Sequence, residues 1–383
     1  MSSSVKSSEP WIGIDMGANF CRVGAIVDGV LRIFASENGC KEVLSAFSLK
    51  KDKHLVGRYA LNTVPTSVIF DACQDHHLNN APAEESPVAW SCQQDRNGCY
   101  SIGEEGGEHI YQQQVMAIIL SNLKEVAERN LGVCVKNVVI SIPSYCTNNY
   151  RYVVHQAALI AGFENTQLLN QSTAAAITYK LNNFRQKETR KVGIFCLGGN
   201  SVEVSVFCMS QNTATLVASN GSAEFGGNTF TNSMMQAVLS FAYKKLKNQN
   251  GFTKKFIKAV WFGCERAKLD LASFQKTDLI IDAFEEEIRI RFSRDNLFKI
   301  CKKNFDELQN ILAEIFGPYQ HDIWEVMLVG GASKMAGLKE LIRNHVHPRC
   351  TFVPAIVAEE AVVSGAIIKA SIASCNPVSR MLM

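Results

Sequence analysis

The sequence predicts an α/β protein built from two related lobes that face each other across a cleft. Two stretches, "IDMGANFCRVGA" from Ile14 and "FCLGGNSVEVSV" from Phe195, share one pattern of apolar strand, glycine-containing turn and second strand. Aligned, they place Asp15 over Cys196 at an offset of 181 residues, close to half of the 383-residue chain. A repeat at this spacing indicates an internal duplication.

Hydrophobic periodicity predicts the elements of both halves in order. In the first half we expect two strands joined by a turn in 11–26, strands at 30–34, 46–49 and 137–144, and helices at 111–131 and 148–161. In the second half we expect helices at 172–181 and 229–246 around a strand–turn–strand unit at 193–207, then strand, Gly-Gly and helix in 322–344. Pro143 is expected to end its strand because proline cannot donate to the sheet.

The domain organisation follows from the duplication and from one polar stretch, 182–191. We expect a disordered tail at 1–10, lobe I at 11–187 and lobe II at 188–358. Residues 359–383 are expected to pack back onto lobe I. Their helix, at 359–373, is rich in small residues, which favours close packing on a neighbour.

Composition excludes several classes of protein. A net charge of +3 in 383 residues provides no electrostatic basis for binding DNA or an anionic membrane. We expect no signal peptide and no apolar run of the ~18 residues that span a bilayer. The chain has 13 cysteines, an odd number without a CxxC pair, so we expect reduced thiols in the cytosol, with the nucleus as an alternative.

The glycine turns are candidate phosphate-binding elements. Glycine allows a ligand to approach the main chain, and successive backbone N–H groups can form a nest for an anion. Gly330 and Gly331 form a third turn, which we expect to open a helix whose N-terminus favours anions. The alternative is that each is an ordinary turn, but two copies in register and a third favour a nucleotide cleft between the lobes.

Seven motifs, in order along nearly the whole chain, resemble the nucleotide-binding domain of the seventy-kilodalton heat-shock chaperone family, in the manner of a divergent member. These are "GIDMGANF", "SVIFDAC", "NVVISIPSYCTNNYR", "LLNQSTAAAITYKL", "IFCLGGNSVEVSV", "GCERAKLDL" and "EVMLVGGASKM". The resemblance implies the actin-like, hexokinase-like ATPase fold, with ribonuclease H-like lobes around a nucleotide cleft.

The resemblance also implies site residues. It implies ATP or ADP contacts at Asp15, Gly17, Ala18, Asn19, Gly198, Gly199, Asn200, Ser201, Gly227, Glu265, Lys268, Gly330, Gly331, Ala332 and Glu359. It implies a weakened Mg²⁺–water site at Asp15 and Glu203, and an interlobe relay of Pro143, Tyr145 and Arg151. A strand-ending proline and a surface arginine are an equal alternative to the relay. On spacing alone, Glu265 and Lys268 could equally be an ion pair on a solvated helix face.

Three positions depart from the family in the ionic groups that support hydrolysis. The family's catalytic lysine falls on Cys73, its interlobe glutamate on Gln171, and the aspartate of its second phosphate loop on Cys196. Phosphoryl transfer depends on positioning and placed charge, and losing one such group typically costs on the order of 10²–10³ in rate. We therefore expect ATP binding with weak or absent hydrolysis, and no intact catalytic residue.

The function predicted is that of an ATP-binding partner or co-chaperone in protein folding. The partners implied are J-domain co-chaperones, nucleotide-exchange factors or other chaperones, with the ribosome as a further candidate. The chain shows no peptide-binding β-domain, so it is expected to be a fragment or a nucleotide-binding domain alone. The alternatives are an active ATP-hydrolysing domain of a longer chaperone, a sugar-kinase-like enzyme, and an actin-like filament protein.

Overall fold

The computed structural model describes residues 9–48, 55–61, 68–69, 91–94, 100–103, 109–183, 189–211, 213–246, 252–283, 286–353 and 357–375. Cys73, most of the expected tail and the expected boundary at 187/188 lie outside these residues. The expected domain limits therefore stay a prediction.

Strands and helices occur in both halves of the chain. They are β1 Trp11–Met16, β2 Phe20–Val27, β3 Val30–Ile33, β4 Val43–Leu44, β5 Phe47–Ser48, β6 Leu55–Val56, β7 Val68–Ile69, β8 Ser91–Gln94, β9 Tyr100–Gly103, β10 His109–Tyr111, β11 Asn137–Ile142, β12 Asn165–Asn170, β13 Arg190–Leu197, β14 Val202–Met209, β15 Ala214–Ser222, β16 Lys276–Ala283, β17 Glu286–Ser293, β18 Ile323–Val329 and β19 Thr351–Phe352. The helices are α1 Arg58–Leu61, α2 Gln112–Leu131, α3 Asn148–Ile160, α4 Gln171–Asn183, α5 Gly227–Leu246, α6 Lys254–Ser273, α7 Arg294–Ile300, α8 Lys302–Ile315, α9 Leu338–Arg343 and α10 Ala361–Cys375.

The two large sheets have the same topology, which confirms the predicted duplication. The first runs in the order β12-β11-β1-β2-β3, and the second in the order β19-β18-β13-β14-β15. In both, the leading hairpin is antiparallel, and its first strand also pairs in parallel with the strand on its other side. Short β4 adds to the first sheet by pairing with β2.

Each sheet has its own hydrophobic core. All six residues of β11 are buried, and five of the six in β1, because these strands lie in the interior of the sheet. The first core packs α2 and α3 onto that sheet, through Leu120 and Val154 among others. The second core joins β13 and β14 to helices α5, α6 and α8.

Helix α10 packs on the first sheet, as its small residues predict. It contacts β1, β2, β11 and α4. A Cβ atom at Gly365 would lie 1.9 Å from the backbone oxygen of Ala174, and one at Gly13 would lie 2.3 Å from the backbone nitrogen of Ile367. The absence of side chains at these two glycines therefore allows α10 to reach both β1 and α4.

The third glycine turn differs from the sequence prediction. No α-helix begins at Gly331; a 3₁₀ turn spans Gly331–Lys334, and α9 starts only at Leu338. Gly330 has φ +85°, and Ser333 Oγ donates to its carbonyl oxygen over 2.7 Å, which closes the chain into a tight turn. The prediction that an α-helix begins at this turn is therefore wrong.

Among the residues described, no helix is both long and apolar enough to cross a membrane. The nine cysteines whose side chains are described are free thiols.

Candidate functional site

A cavity of about 370 Å³ lies between the two sheets, where all three glycine turns meet. It is lined by Asp15, Gly17, Ala18, Asn19, Pro143, Tyr145, Gln171, Cys196, Gly198, Gly199, Asn200, Ser201, Glu203, Gly227, Glu265, Lys268, Gly330, Gly331, Ala332 and Glu359. Of the residues proposed from the sequence, Cys73 lies outside the described residues and Arg151 lies outside the cavity. The duplication therefore brings residues from distant parts of the chain into one cleft.

The leading hairpins place equivalent side-chain pairs on the two walls of the cleft. In the first sheet Asp15 lies directly opposite Arg22, and in the second Cys196 lies directly opposite Glu203. The same offset of 181 residues relates both members of the two pairs. Each hairpin therefore carries one carboxyl group at the cleft, on the first strand in one lobe and on the second strand in the other.

Asp15 is a buried carboxyl group at the end of β1. Its Oδ1 accepts a hydrogen bond from Ser141 Oγ over 2.7 Å, on the adjacent parallel strand β11. Burial raises the pKa of Asp15, and the Arg22 guanidinium and the Ser141 hydroxyl oppose that increase. The desolvated carboxylate is therefore a strong potential partner for a cation or for ordered water.

Cys196 occupies the equivalent position in the second hairpin as a neutral thiol. Burial raises its pKa well above the usual value, and the neighbouring Glu203 and Asp15 carboxylates raise it further. A thiolate is the nucleophilic form of cysteine, and this environment opposes its formation. Cys196 therefore supplies neither charge nor a nucleophile to the cleft.

Glu203 is the second carboxyl group and is 3% exposed. Its Oε1 accepts hydrogen bonds from Ser205 Oγ at 3.1 Å and Ser219 Oγ at 3.4 Å. Its Oε2 is buried and has no hydrogen-bond partner among the described residues. An unsatisfied buried carboxylate oxygen fits a missing cation or its bound water, because desolvation makes it costly to leave unpaired.

Three asparagines join the two phosphate-loop candidates across the cleft. The Asn19 and Asn228 amides exchange two hydrogen bonds of 3.1 Å, and Asn228 Nδ2 also donates to Asn200 Oδ1 over 2.7 Å. A Cβ atom at Gly199 would lie 2.4 Å from Asn19 Oδ1, so a larger residue there would displace the Asn19 amide from this position. The lobes therefore touch directly at the turns.

Lys268 is buried and forms an ion pair with Glu265, whose side chain is 22% exposed, so the pair differs from the solvated one that spacing alone allowed. Lys268 is 2% exposed, and its ammonium lies 2.6 Å from Glu265 Oε2. It also donates to the Gly227 carbonyl at 2.8 Å and to Thr231 Oγ1 at 2.9 Å. These three bonds use all three N–H donors of the ammonium. Lys268 therefore holds the start of α5 in place, and a role as a direct ligand contact stays a prediction.

The third turn binds the carboxylate of Glu359 through Lys334. Lys334 Nζ lies 2.5 Å from Glu359 Oε1, while Glu359 Oε2 is buried without a hydrogen-bond partner in the described chain. The backbone N–H of Gly330 donates to the Ala358 carbonyl over 2.8 Å. Gly330 also approaches Leu197 closely, since a Cβ there would lie 2.3 Å from the Leu197 carbonyl oxygen.

The proposed relay residues separate in the structure. Pro143 and Tyr145 line the cavity, and burial raises the pKa of the Tyr145 phenol, which keeps it protonated. Arg151 instead donates to the Ser144 carbonyl at 3.2 Å and to Asn170 Oδ1 at 3.3 Å. It thus joins the segment after β11 to the end of β12, and its relay role stays a prediction.

Sequence reasoning missed Arg22, Glu42 and Asn228 as lining residues. Arg22 Nη2 donates to Glu42 Oε2 over 2.8 Å. The hairpin offered an indication for Arg22, because a tight turn at Gly17–Asn19 pairs position 15 with position 22. Nothing in the sequence pattern indicates Glu42 or Asn228, which reach the cavity through long-range packing.

Comparison with known proteins decides the family. A family model described as "Hsp70 protein" matches residues 11–383. The chain belongs to the Hsp70 family. The matched part corresponds to the Hsp70 nucleotide-binding domain, and its fold is the actin-like two-lobe fold that the resemblance implied. Members of this family generally bind ATP or ADP with Mg²⁺.

Individual Hsp70 relatives are similar over nearly the whole chain. A "Heat shock 70 kDa protein" of Emericella nidulans is 27% identical over 391 residues, which cover 97% of this chain and 59% of the relative. A ribosome-associated molecular chaperone of Zygosaccharomyces rouxii is 26% identical, covering 94% and 61%. The "Heat shock cognate 70 kDa protein 3" of Dictyostelium discoideum is 26% identical, covering 97% and 61%. The chain thus spans about three fifths of the length of these relatives.

Proposed function

We propose that this chain binds ATP in the interlobe cleft, hydrolyses it slowly or not at all, and acts as a partner or co-chaperone in protein folding. The observation that carries the proposal is the cavity itself, which brings three glycine turns together with the carboxyl groups of Asp15 and Glu203, while Cys196 supplies only a neutral thiol. Backbone N–H groups at the turns can bind phosphate whatever the neighbouring side chains are.

Weak hydrolysis follows from the uncharged groups in the cleft. Gln171 lines the cavity as a neutral amide that cannot accept a proton, and Cys196 is a neutral thiol. Cys73, which lies outside the described residues, has no permanent charge to neutralise a phosphoryl group. Since three ionic groups of the family are absent together, a chaperone-like rate is not expected.

The carboxyl groups of Asp15 and Glu203 fit a magnesium–water shell. Mg²⁺ in nucleotide sites is usually held by one or two carboxylates, water and the phosphates. Bound there, the ion would neutralise phosphate charge. Asp15 would orient water with its carboxylate, which accepts a hydrogen bond from Ser141. Glu203 would do so with Oε2, which has no partner among the residues that the structure describes. The soft thiol of Cys196 is a poor partner for such a shell.

The partners proposed are J-domain co-chaperones, nucleotide-exchange factors or other chaperones in the cytosol. Ribosome association is part of the proposal because one relative is named a ribosome-associated chaperone. The runner-up is an active ATPase domain of a longer chaperone, since the relatives extend beyond this chain. The match to the Hsp70 family over 11–383 favours both over a sugar kinase or an actin-like filament protein.

A single-turnover assay with labelled ATP and Mg²⁺ on the purified chain tests the proposal. We expect ATP to remain bound and uncleaved over the time in which an active Hsp70 domain completes a turnover. The variant C73K/Q171E/C196D should raise the cleavage rate, because it restores three charges. Cleavage by the unmodified chain at a chaperone-like rate would contradict the proposed loss of hydrolysis, and absence of ATP binding would contradict the whole proposal.

A further inference from the structure

Arg22 is a buried cation on the lobe I wall of the cleft. It lies on β2 directly opposite Asp15, is 8% exposed and lines the cavity. The turn of Gly17–Asn19, one of the two hairpin turns that meet in the cleft, separates it from β1. A permanently charged guanidinium therefore lies close to the place where phosphate groups would enter between the turns.

The Arg22 side chain has hydrogen-bonding capacity left for a ligand. In the described part of the chain its guanidinium makes one side-chain hydrogen bond, from Nη2 to Glu42 Oε2 at 2.8 Å. Arginine carries five N–H donors in a planar fork, which suits bidentate binding of phosphate. The Glu42 contact orients this fork and leaves further donors available.

The other described cations that line the cavity are either fully hydrogen-bonded or exposed to solvent. Lys268 uses its three donors on Gly227, Thr231 and Glu265. Lys334 is 53% exposed and pairs with Glu359 at the third turn. Arg22 is thus the buried cation with unused donors near the hairpin turns, where the Asp15 and Glu203 carboxylates would otherwise repel an added phosphate.

We propose that Arg22 binds the terminal phosphate of a nucleoside triphosphate and gives the cleft its preference for ATP over ADP. The inference rests on the proposed nucleotide binding and names the residue that selects the triphosphate. A terminal phosphate brings its added negative charge next to two buried acids. Arg22 offsets that charge, and its low exposure strengthens the interaction because little water screens it.

Calorimetric titration of the full chain with ATP and with ADP, each with and without Mg²⁺, tests this role. The wild-type chain is expected to bind ATP more tightly than ADP. Arg22→Met should lower the ATP affinity about 10- to 100-fold, the range for losing a charged hydrogen-bonded contact, and change the ADP affinity less than about threefold. The ATP affinity of Arg22→Lys should lie between those of the wild-type chain and Arg22→Met, because lysine keeps the charge and loses the planar fork of donors.

Two further variants separate this role from structural ones. Glu42→Gln removes the carboxylate partner and keeps the guanidinium, so ATP preference should be retained; a loss equal to that of Arg22→Met would show that Arg22 only pairs with Glu42. Arg291→Met, at an exposed ion pair with Asp278, should behave as wild type. If Arg22→Met does not fold, Arg22→Lys and Glu42→Gln decide between the two roles.

The outcomes for this inference and for the proposed function are distinct. A wild-type chain that binds ATP and ADP equally, or an Arg22→Met variant that keeps the ATP preference, overturns the role of Arg22 and leaves nucleotide binding intact. A wild-type chain that binds neither nucleotide overturns both. Retained ADP binding by Arg22→Met, with ATP preference lost, supports the inference and shows that the variant is folded.

Discussion

Replacing Lys268 by methionine should destabilise lobe II strongly. The ammonium is 2% exposed and donates to the Gly227 carbonyl, Thr231 Oγ1 and Glu265 Oε2. Methionine fills a similar volume but leaves the Glu265 carboxylate without its counter-ion and removes the shorter of two side-chain hydrogen bonds to the Gly227 carbonyl, the other coming from Thr231 Oγ1. Breaking a buried pair in this way typically costs about 3–5 kcal/mol.

An exposed ion pair in the same lobe provides the matched control. Lys302 and Asp306 lie 2.5 Å apart at i,i+4 on α8, with side chains 74% and 54% exposed. Lys302→Met should cost about 0.3–0.5 kcal/mol, because water already screens both charges. The two lysines therefore differ in burial, while each pairs with an acid about one helical turn away.

Urea unfolding of the apo chain measures both variants, because urea is uncharged and does not screen ion pairs. The free energy of unfolding should fall about tenfold more for Lys268→Met than for Lys302→Met. Adding Glu265→Gln to Lys268→Met should recover part of the loss, since it removes the uncompensated charge. A Lys268→Met cost below about 1 kcal/mol, or no recovery in the double variant, would refute the reasoning that this pair is buried and structural.

Two further predictions concern packing and pH. Gly365→Ala should lower the unfolding free energy by about 1–3 kcal/mol, because its Cβ would lie 1.9 Å from the Ala174 carbonyl oxygen. Gly317→Ala, with no atom within 4 Å of the added Cβ, is the control in thermal unfolding, and equal losses would contradict close packing of α10. Asp15→Asn should stabilise the apo chain at pH 7, because burial raises the Asp15 pKa and the amide can still accept from Ser141. Because the folded-state pKa of Asp15 is raised, its ionised carboxylate costs stability at neutral pH, and this cost disappears below the unfolded-state pKa near 3.8. The stability gained by Asp15→Asn should therefore vanish as the pH falls towards that value. A gain that is the same at all pH values would contradict this origin.

Much of the fold could be predicted from local pattern. The boundaries of α2 and β11 agree with the expected ranges to within two residues, because their apolar periodicity is set by short-range geometry. The third turn could not be predicted in the same way. Its 3₁₀ geometry depends on the Ser333 hydroxyl and on the approach of Gly330 to Leu197, a contact between distant segments.

The candidate site likewise has features that the sequence predicts and features that depend on tertiary contacts. The glycine turns and the missing charges at Gln171 and Cys196 are visible in the sequence, because backbone freedom and side-chain charge belong to each residue type. The sequence does not show that Lys268 is buried and hydrogen-bonded to α5, since i,i+3 spacing fits both a solvated ion pair and a buried one. Burial by α5 decides between them.

By itself the sequence determined that this chain has two duplicated lobes and three glycine turns, and that Cys73, Gln171 and Cys196 are not ionic residues. Only the tertiary structure decided which side chains meet in the cleft. Asn19 reaches Asn228 across 209 residues of chain, and Arg22 acquires Glu42 from outside its own hairpin. Periodicity reports which face of an element is buried, whereas the identity of the partner depends on how separate elements pack. That the described residues leave donors of Arg22 and one oxygen of Glu203 without a partner therefore becomes apparent only once both walls of the cleft are in place.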